Sequence, residues 1–112
     1  MRTSFEMEDK YIKMIRGDTL SFGLEISGIS QEIIDIKFGA KKDKKDDFYL
    51  FNKTLDDGIT INDEGQYIIR VAPEDTRDAE AGKYFYDLQI IAGSDVFTVM
   101  HGVLELDQDV VY

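Results

Sequence analysis

His101 is the first residue to ask about, because it is the only histidine in the chain. General acid-base work needs a second group within hydrogen-bond reach. No nucleophile motif stands near it. There is no Gly-x-Ser-x-Gly elbow, phosphate-binding loop or dinucleotide fingerprint. With no cysteine present, a thiol nucleophile, a structural disulfide and a cysteine zinc site are all excluded. One histidine cannot anchor a histidine-rich metal site, and the position reads as an ordinary strand residue at an irregularity. Asp56-Asp57 and Asn62-Asp63-Glu64 are oxygen-rich turns of the kind calcium uses. They lack EF-hand spacing and read as solvated turns. The chain is therefore expected to be no enzyme, with no cofactor and no metal.

Charge limits the partners. The net charge is −10, and its distribution is uneven. Residues 1–55 hold ten acidic and ten basic side chains, whereas residues 56–112 hold thirteen acidic and three basic ones. Phosphate repels such a surface, so nucleic acid is not expected as a partner. Lys41-Lys42-Asp43-Lys44-Lys45-Asp46-Asp47 is the densest basic run. Its acids cancel much of its charge and no aromatic platform accompanies it, so it reads as a solvated hairpin loop. Its lysines could touch the acidic half of a neighbouring copy, a head-to-tail contact that builds rings or filaments. Arg16-Gly17-Asp18 spells an adhesion tripeptide, but it falls in a turn before a strand. Met1 to Lys10 carry no apolar stretch of the signal-peptide type, and no run is long enough to span a bilayer as a helix. The expectation is a soluble protein with no signal peptide and no membrane partner.

The elements that hold these residues show period two. Tyr84, Tyr86, Leu88 and Ile90 alternate with Lys83, Phe85, Asp87 and Gln89, as a strand with one buried face does. Leu20, Phe22, Leu24 and Ile26 repeat the pattern. So do Ile34, Ile36, Phe38 and Ala40, then Tyr67, Ile69 and Val71, and the fragment Ile59 with Ile61. Tyr11–Ile15 and Phe48–Thr54 are further strands without an assignable inward face. Asp56-Asp57-Gly58, Asn62-Asp63-Glu64-Gly65 and Ala92-Gly93-Ser94-Asp95 supply turn chemistry between them. From Val96 to Leu106 the apolar parity changes: Phe97 and Val99 lie on one parity, Leu104 and Leu106 on the other. A β-bulge near His101-Gly102 would reconcile the two. Pro73 to Glu80 predicts a single helical turn, with Pro early and acids in the first turn. Seven to nine short strands in 112 residues predict one all-β domain, an antiparallel β-sandwich, with residues 1–9 and 109–112 loose or pairing at an edge.

The stretch Gly82-Lys83-Tyr84-Phe85-Tyr86 resembles the corner of immunoglobulin-like sandwiches, where a tyrosine near a strand start bonds the backbone upstream. Tyr84 takes that role, and Tyr86 stands where antibody domains place a cysteine. This corner, together with Arg16-Gly17-Asp18-Thr19, Phe22-Gly23, Ala72-Pro73-Glu74-Asp75-Thr76, Val96-Phe97-Thr98-Val99 and Gly102-Val103-Leu104-Glu105, resembles small phage and prophage proteins of Gram-positive bacteria. It is also similar to the N-terminal domain of the upper baseplate protein of lactococcal-type phages. The resemblance covers about residues 11–108. It departs from the pattern at Ala79, where a larger apolar residue is usual. It implies an immunoglobulin-like structural module of a virion (tail, baseplate or capsid surface), found in the particle or in the bacterial cytoplasm before assembly. Its implied partners are other virion proteins or copies of itself. A module binding host-surface carbohydrate or protein is the alternative. Exposed apolar groups mark the interface in either case: Ile68 and Phe85 on outward parities, and the terminal Val110, Val111 and Tyr112.

Overall fold

In a computed structural model, which describes residues 5–8, 11–26 and 28–110, the alternating runs become nine strands and one helical turn. These are β1 (Phe5–Glu8), β2 (Tyr11–Ile15), β3 (Leu20–Leu24), β4 (Ile33–Lys41), β5 (Phe51–Leu55), β6 (Gly58–Ile61), β7 (Tyr67–Val71), α1 (Pro73–Thr76), β8 (Gly82–Ala92) and β9 (Asp95–Asp107). The order is β1-β2-β9-β8-β4-β5-β6-β7-β3. β5 divides it into two layers. Its first residues pair with β4, while Thr54 and Leu55 pair with β6. A strand that changes partners in this way makes a sandwich corner. The result is an immunoglobulin-like β-sandwich, with β1, β2, β9, β8 and β4 in one layer and β3, β7 and β6 in the other.

β2 runs parallel to β9, with Ile12 opposite Leu104 and Met14 opposite Leu106. The sequence pattern predicts antiparallel pairing throughout. A parallel pair needs a long connection, and nearly the whole domain lies between these two strands. β1 then adds antiparallel to the outside of β2, so residues 5–8 pair at an edge.

The inward parities bury Leu20, Ile36, Phe38, Ala40, Phe51, Ile59, Ile69, Val71, Leu88, Ile90, Leu104 and Leu106. Phe38 is fully buried and central. Its ring meets Phe22 edge-on at 5.5 Å, Phe51 at 5.4 Å and Tyr86 at 5.8 Å. Tyr86 fits because its cross-strand neighbours are Ala40 and Gly102, both small.

Several expectations need correction. The bulge in β9 lies at Val99, not at His101-Gly102: Leu88 pairs with Met100 and Gln89 with Thr98, and Val99 is skipped. Gly102 sits in regular register opposite Tyr86, where its lack of a side chain makes room for the ring. Ile34 does not point inward with Ile36. The ladder shifts between Ile33 and Asp35, so Ile33 packs on the core and Ile34 is exposed. Asp35 holds the irregularity by accepting from the Ile36 and Leu55 amides. Ile61 is likewise exposed at the end of β6. Phe48 and Tyr49 precede β5 rather than belonging to it.

Near the other end, Pro73–Thr76 makes the crossing turn, half the length expected. Asp75 accepts from the Ala72 amide at 2.7 Å and pairs with Lys53 at 2.8 Å, so one carboxylate ties the turn to β5. The fully buried Thr76 accepts from the Gly17 amide at 2.9 Å. Arg16 donates to Ala79's carbonyl and pairs with Asp109 at 2.7 Å. The guanidinium of the adhesion-like tripeptide is thus spent inside the fold, and Asp109 is fastened rather than loose.

At the corner, Gly82 has a φ of 143°, a conformation that favours glycine. It turns the chain so that the Tyr84 hydroxyl donates to the Glu80 carbonyl at 2.7 Å. The Lys42 ammonium lies over the Tyr84 ring and pairs with Glu80 at 3.4 Å. The Tyr86 hydroxyl, by contrast, is buried without a partner among the described residues, and burial pushes its pKa up. The two tyrosines should therefore respond oppositely to losing a hydroxyl. Tyr84→Phe should cost about 1 kcal/mol in urea unfolding, whereas Tyr86→Phe should be neutral or stabilising by up to about 1 kcal/mol, because an unsatisfied buried hydroxyl is removed. Equal losses in both variants would contradict these assignments.

Candidate functional site

The outer face of β4, β8 and β9 is built from the alternate residues that the core leaves out. Directly opposed residues share a face, so the ladder fixes three rows. Val103, Phe85 and Lys41 form one, His101, Asp87 and Gly39 the next, and Thr98, Gln89 and Lys37 the third. Tyr11 extends the first row from β2.

Gly39 has a particular reason to be glycine. The Tyr49 ring lies against it, so that a Cβ there would fall 3.0 Å from the ring's Cε1. The ring therefore rests directly on the sheet. The Lys41 ammonium stands 4.6 Å from the Tyr49 ring centroid, and the Lys44 ammonium 5.1 Å from that of Phe85. These groups, with Asp87, Thr98, His101 and Val103, line a cavity of about 530 Å³. The Lys41–Asp47 run thus does have aromatic company, contrary to its reading as a bare solvated loop. Phe85 comes from far along the chain, and Tyr49 folds back onto Gly39.

His101 and Asp87 are cross-strand neighbours, but no side-chain hydrogen bond joins them. Gln89 reaches Thr98 at 3.5 Å. The pair offers polar groups to a bound molecule without a nucleophile aligned between them. In the Asn62 turn, the amide oxygen already accepts from the Glu64 and Gln66 amides, so it is spent on the turn itself. Among the described residues no three of His, Asp and Glu gather as a metal-holding group. No helix among them is long and apolar enough to cross a membrane.

The expected interface residues fall in different places. Phe85 is 41% exposed and lines the cavity. Ile68 lies on the other layer and is half-buried, beside Gly23 of β3. Val110 is 95% exposed. Val111 and Tyr112 lie outside the described residues. Sequence reasoning missed Gly39, Lys41, Lys44 and Tyr49 as partners of one site. The available signal was Gly39 itself, a glycine inside a strong strand pattern, which often marks a close approach.

A second apolar group occupies the end of the same layer where the β8–β9 hairpin meets the loop before β4. Ile34 is 60%, Val96 58%, Val99 46% and Phe97 37% exposed. Gln31 donates to Asp95 at 2.8 Å and the Gly93 amide to the Glu32 carbonyl at 3.1 Å, so the two loops are joined. Val96 shares the outer face with Thr98, Phe97 lies opposite the buried Ile90 on the inner one, and Val99 is the residue that the bulge leaves out of the ladder.

Where β2 meets β9, the Tyr11 hydroxyl donates to the Glu105 carboxylate. Lys13 pairs with Asp107 at 3.7 Å.

No protein-family model matches the chain, and no curated protein matches it. Among solved structures, the fold is similar to that of the NK cell receptor Nkp44, described as a triggering partner in natural cytotoxicity. The identity is 13% and the TM-score 0.52, with 92% of this chain and 100% of that chain covered. At this identity the likeness shows the immunoglobulin-like fold alone.

The Tyr11 hydrogen bond, before the smaller contributions of its neighbours, holds the Glu105 carboxyl below the usual carboxylate range. A lowered folded value means that the contribution to stability is present above the ordinary range and is lost as pH falls through the folded value. An NMR pH titration of Tyr11→Phe should move the Glu105 midpoint upward. An unmoved midpoint would show that the hydroxyl is not its partner.

Proposed function

We propose that this chain is a non-enzymatic docking module of a phage-derived particle, making protein-protein contacts through the apolar end of its larger layer. The observation that carries the reading is the exposure of Ile34, Val96, Phe97 and Val99, four large apolar side chains at one end of the layer, with Val96 on its outer face and Phe97 at the uncovered end of its inner one. Scattered exposed apolar residues are ordinary, but a contiguous set marks an interaction surface. Here two backbone irregularities, at Ile34 and at Val99, turn apolar residues outward. Bulges of this kind re-aim side chains.

The particle follows from the resemblance across residues 11–108, whose matching motifs are structural ones. The partners are other virion proteins or further copies of this chain, and the place of action is the particle. The non-enzymatic reading is supported by the face itself, where His101 and Asp87 are cross-strand neighbours with no hydrogen bond between their side chains.

Light scattering after gel filtration and immunogold electron microscopy of induced particles test this together. The expected result is self-association or labelled particles. A Val96→Asp/Val99→Asp variant should lose that association while keeping its unfolding midpoint. A monomer at every concentration that is also absent from particles would overturn the proposal.

A further inference from the structure

We propose that the cavity over Gly39, Asp87 and His101 binds an anionic sugar, a pyranose bearing a carboxylate or a phosphate. This goes beyond the docking role and rests on different residues.

The argument starts from sign. The chain carries a net charge of −10, yet the wall of this cavity holds two ammonium groups, Lys41 and Lys44. Four other cations are matched by carboxylates: Lys13 with Asp107, Arg16 with Asp109, Lys42 with Glu80 and Lys53 with Asp75. Lys41 and Lys44 have no carboxylate within ion-pair distance among the described residues, and each rests over an aromatic ring instead. A ring positions a cation by its quadrupole without neutralising it. The two ammoniums are therefore held in place with their charge still available to an anion.

Size and floor narrow the class. A lone inorganic anion occupies a small part of about 530 Å³, a volume within the ordinary range of small-ligand sites. The floor is Gly39, Asp87 and His101, on strands paired along both sides: β4 between β5 and β8, and β8 between β4 and β9. No backbone edge is open there, so an extended peptide cannot add as a strand. Recognition must come from side chains. Asp87 accepts from hydroxyls, His101 and Thr98 offer further polar contacts, and Phe85, Val103 and the Tyr49 ring give apolar surface for C–H groups. Asp87 also repels a second anionic group at the floor. That orients the ligand, with its anion toward the lysines and its hydroxyls toward β8 and β9.

Two-dimensional NMR titrations of the full chain provide the test. The probes are glucuronate, glucose 6-phosphate, glucose, inorganic phosphate and a short poly-glutamate peptide. Glucuronate or glucose 6-phosphate should shift the amides of Gly39, Asp87 and His101, and should bind at least about tenfold more tightly than glucose or phosphate. Which of the two binds better separates a uronic-acid polymer from a phosphate-bearing one. A Lys41→Gln/Lys44→Gln variant, with its folded spectrum retained, should lose about tenfold in affinity, whereas Lys37→Gln should not. Four results would overturn the proposal: no shift at millimolar probe, shifts away from this face, phosphate alone binding as well as the sugars, or the peptide binding more tightly than either. Loss of particle association in the Val96/Val99 variant leaves this test unaffected, so the two proposals fail separately.

Discussion

The Phe38 ring touches an aromatic neighbour on every side that matters: Phe22 from the smaller layer, Tyr86 from the neighbouring strand, and Phe51 from the strand that joins the layers. Antibody-type sandwiches fasten their layers with a disulfide packed against a tryptophan. This chain has neither cysteine nor tryptophan. Edge-on and tilted ring contacts contribute about 0.5–1.5 kcal/mol each beyond burial. Three on one ring form a dry clamp that holds the layers without a covalent link. The clamp needs small neighbours, and Ala40 and Gly102 flank Tyr86 for that reason. Its one imperfection is the unpartnered Tyr86 hydroxyl.

The outer surface follows from the clamp. With Phe38 and Tyr86 committed inward, the adjoining residues Lys37, Gly39, Phe85 and Asp87 must face outward. Gly39 then leaves the depression into which Tyr49 settles. Arg16, Thr76 and Asp75 secure the crossing turn at the far side through buried or half-buried polar contacts. The β8–β9 end is fixed by the joined loops. The floor of the cavity and most of the apolar end are therefore displayed on strands, where side chains are placed more precisely than on free loops, while Lys44 and Tyr49 reach the cavity from the β4–β5 loop.

Most of the layer structure was legible from alternation alone. Tyr84 to Ile90 and Leu20 to Leu24 declared their inward faces because one side of each strand is apolar. The two failures of parity share one cause. At Ile34 and Val99 the chain inserts a residue, and an insertion reverses parity without leaving a composition signal. The parity conflict in β9 announced that a bulge exists, but the glycine drew it to the wrong place. Gly102 is there to accommodate a ring from the opposite strand, a tertiary demand that β9 does not encode. The cavity was illegible for the same reason. Lys41, Lys44 and Tyr49 are loop-side residues whose meaning depends on Gly39 and on Phe85, and only the folded register brings these together.

A double-mutant cycle on Phe22→Leu and Phe38→Leu, read by urea unfolding, tests the clamp most directly, because this pair spans the two layers. A shared ring contact predicts a coupling of about 0.5–1.5 kcal/mol between the two substitutions. Losses that simply add, to within about 0.5 kcal/mol, would show that the layers are held by burial alone and that the aromatic clamp is not what fastens them.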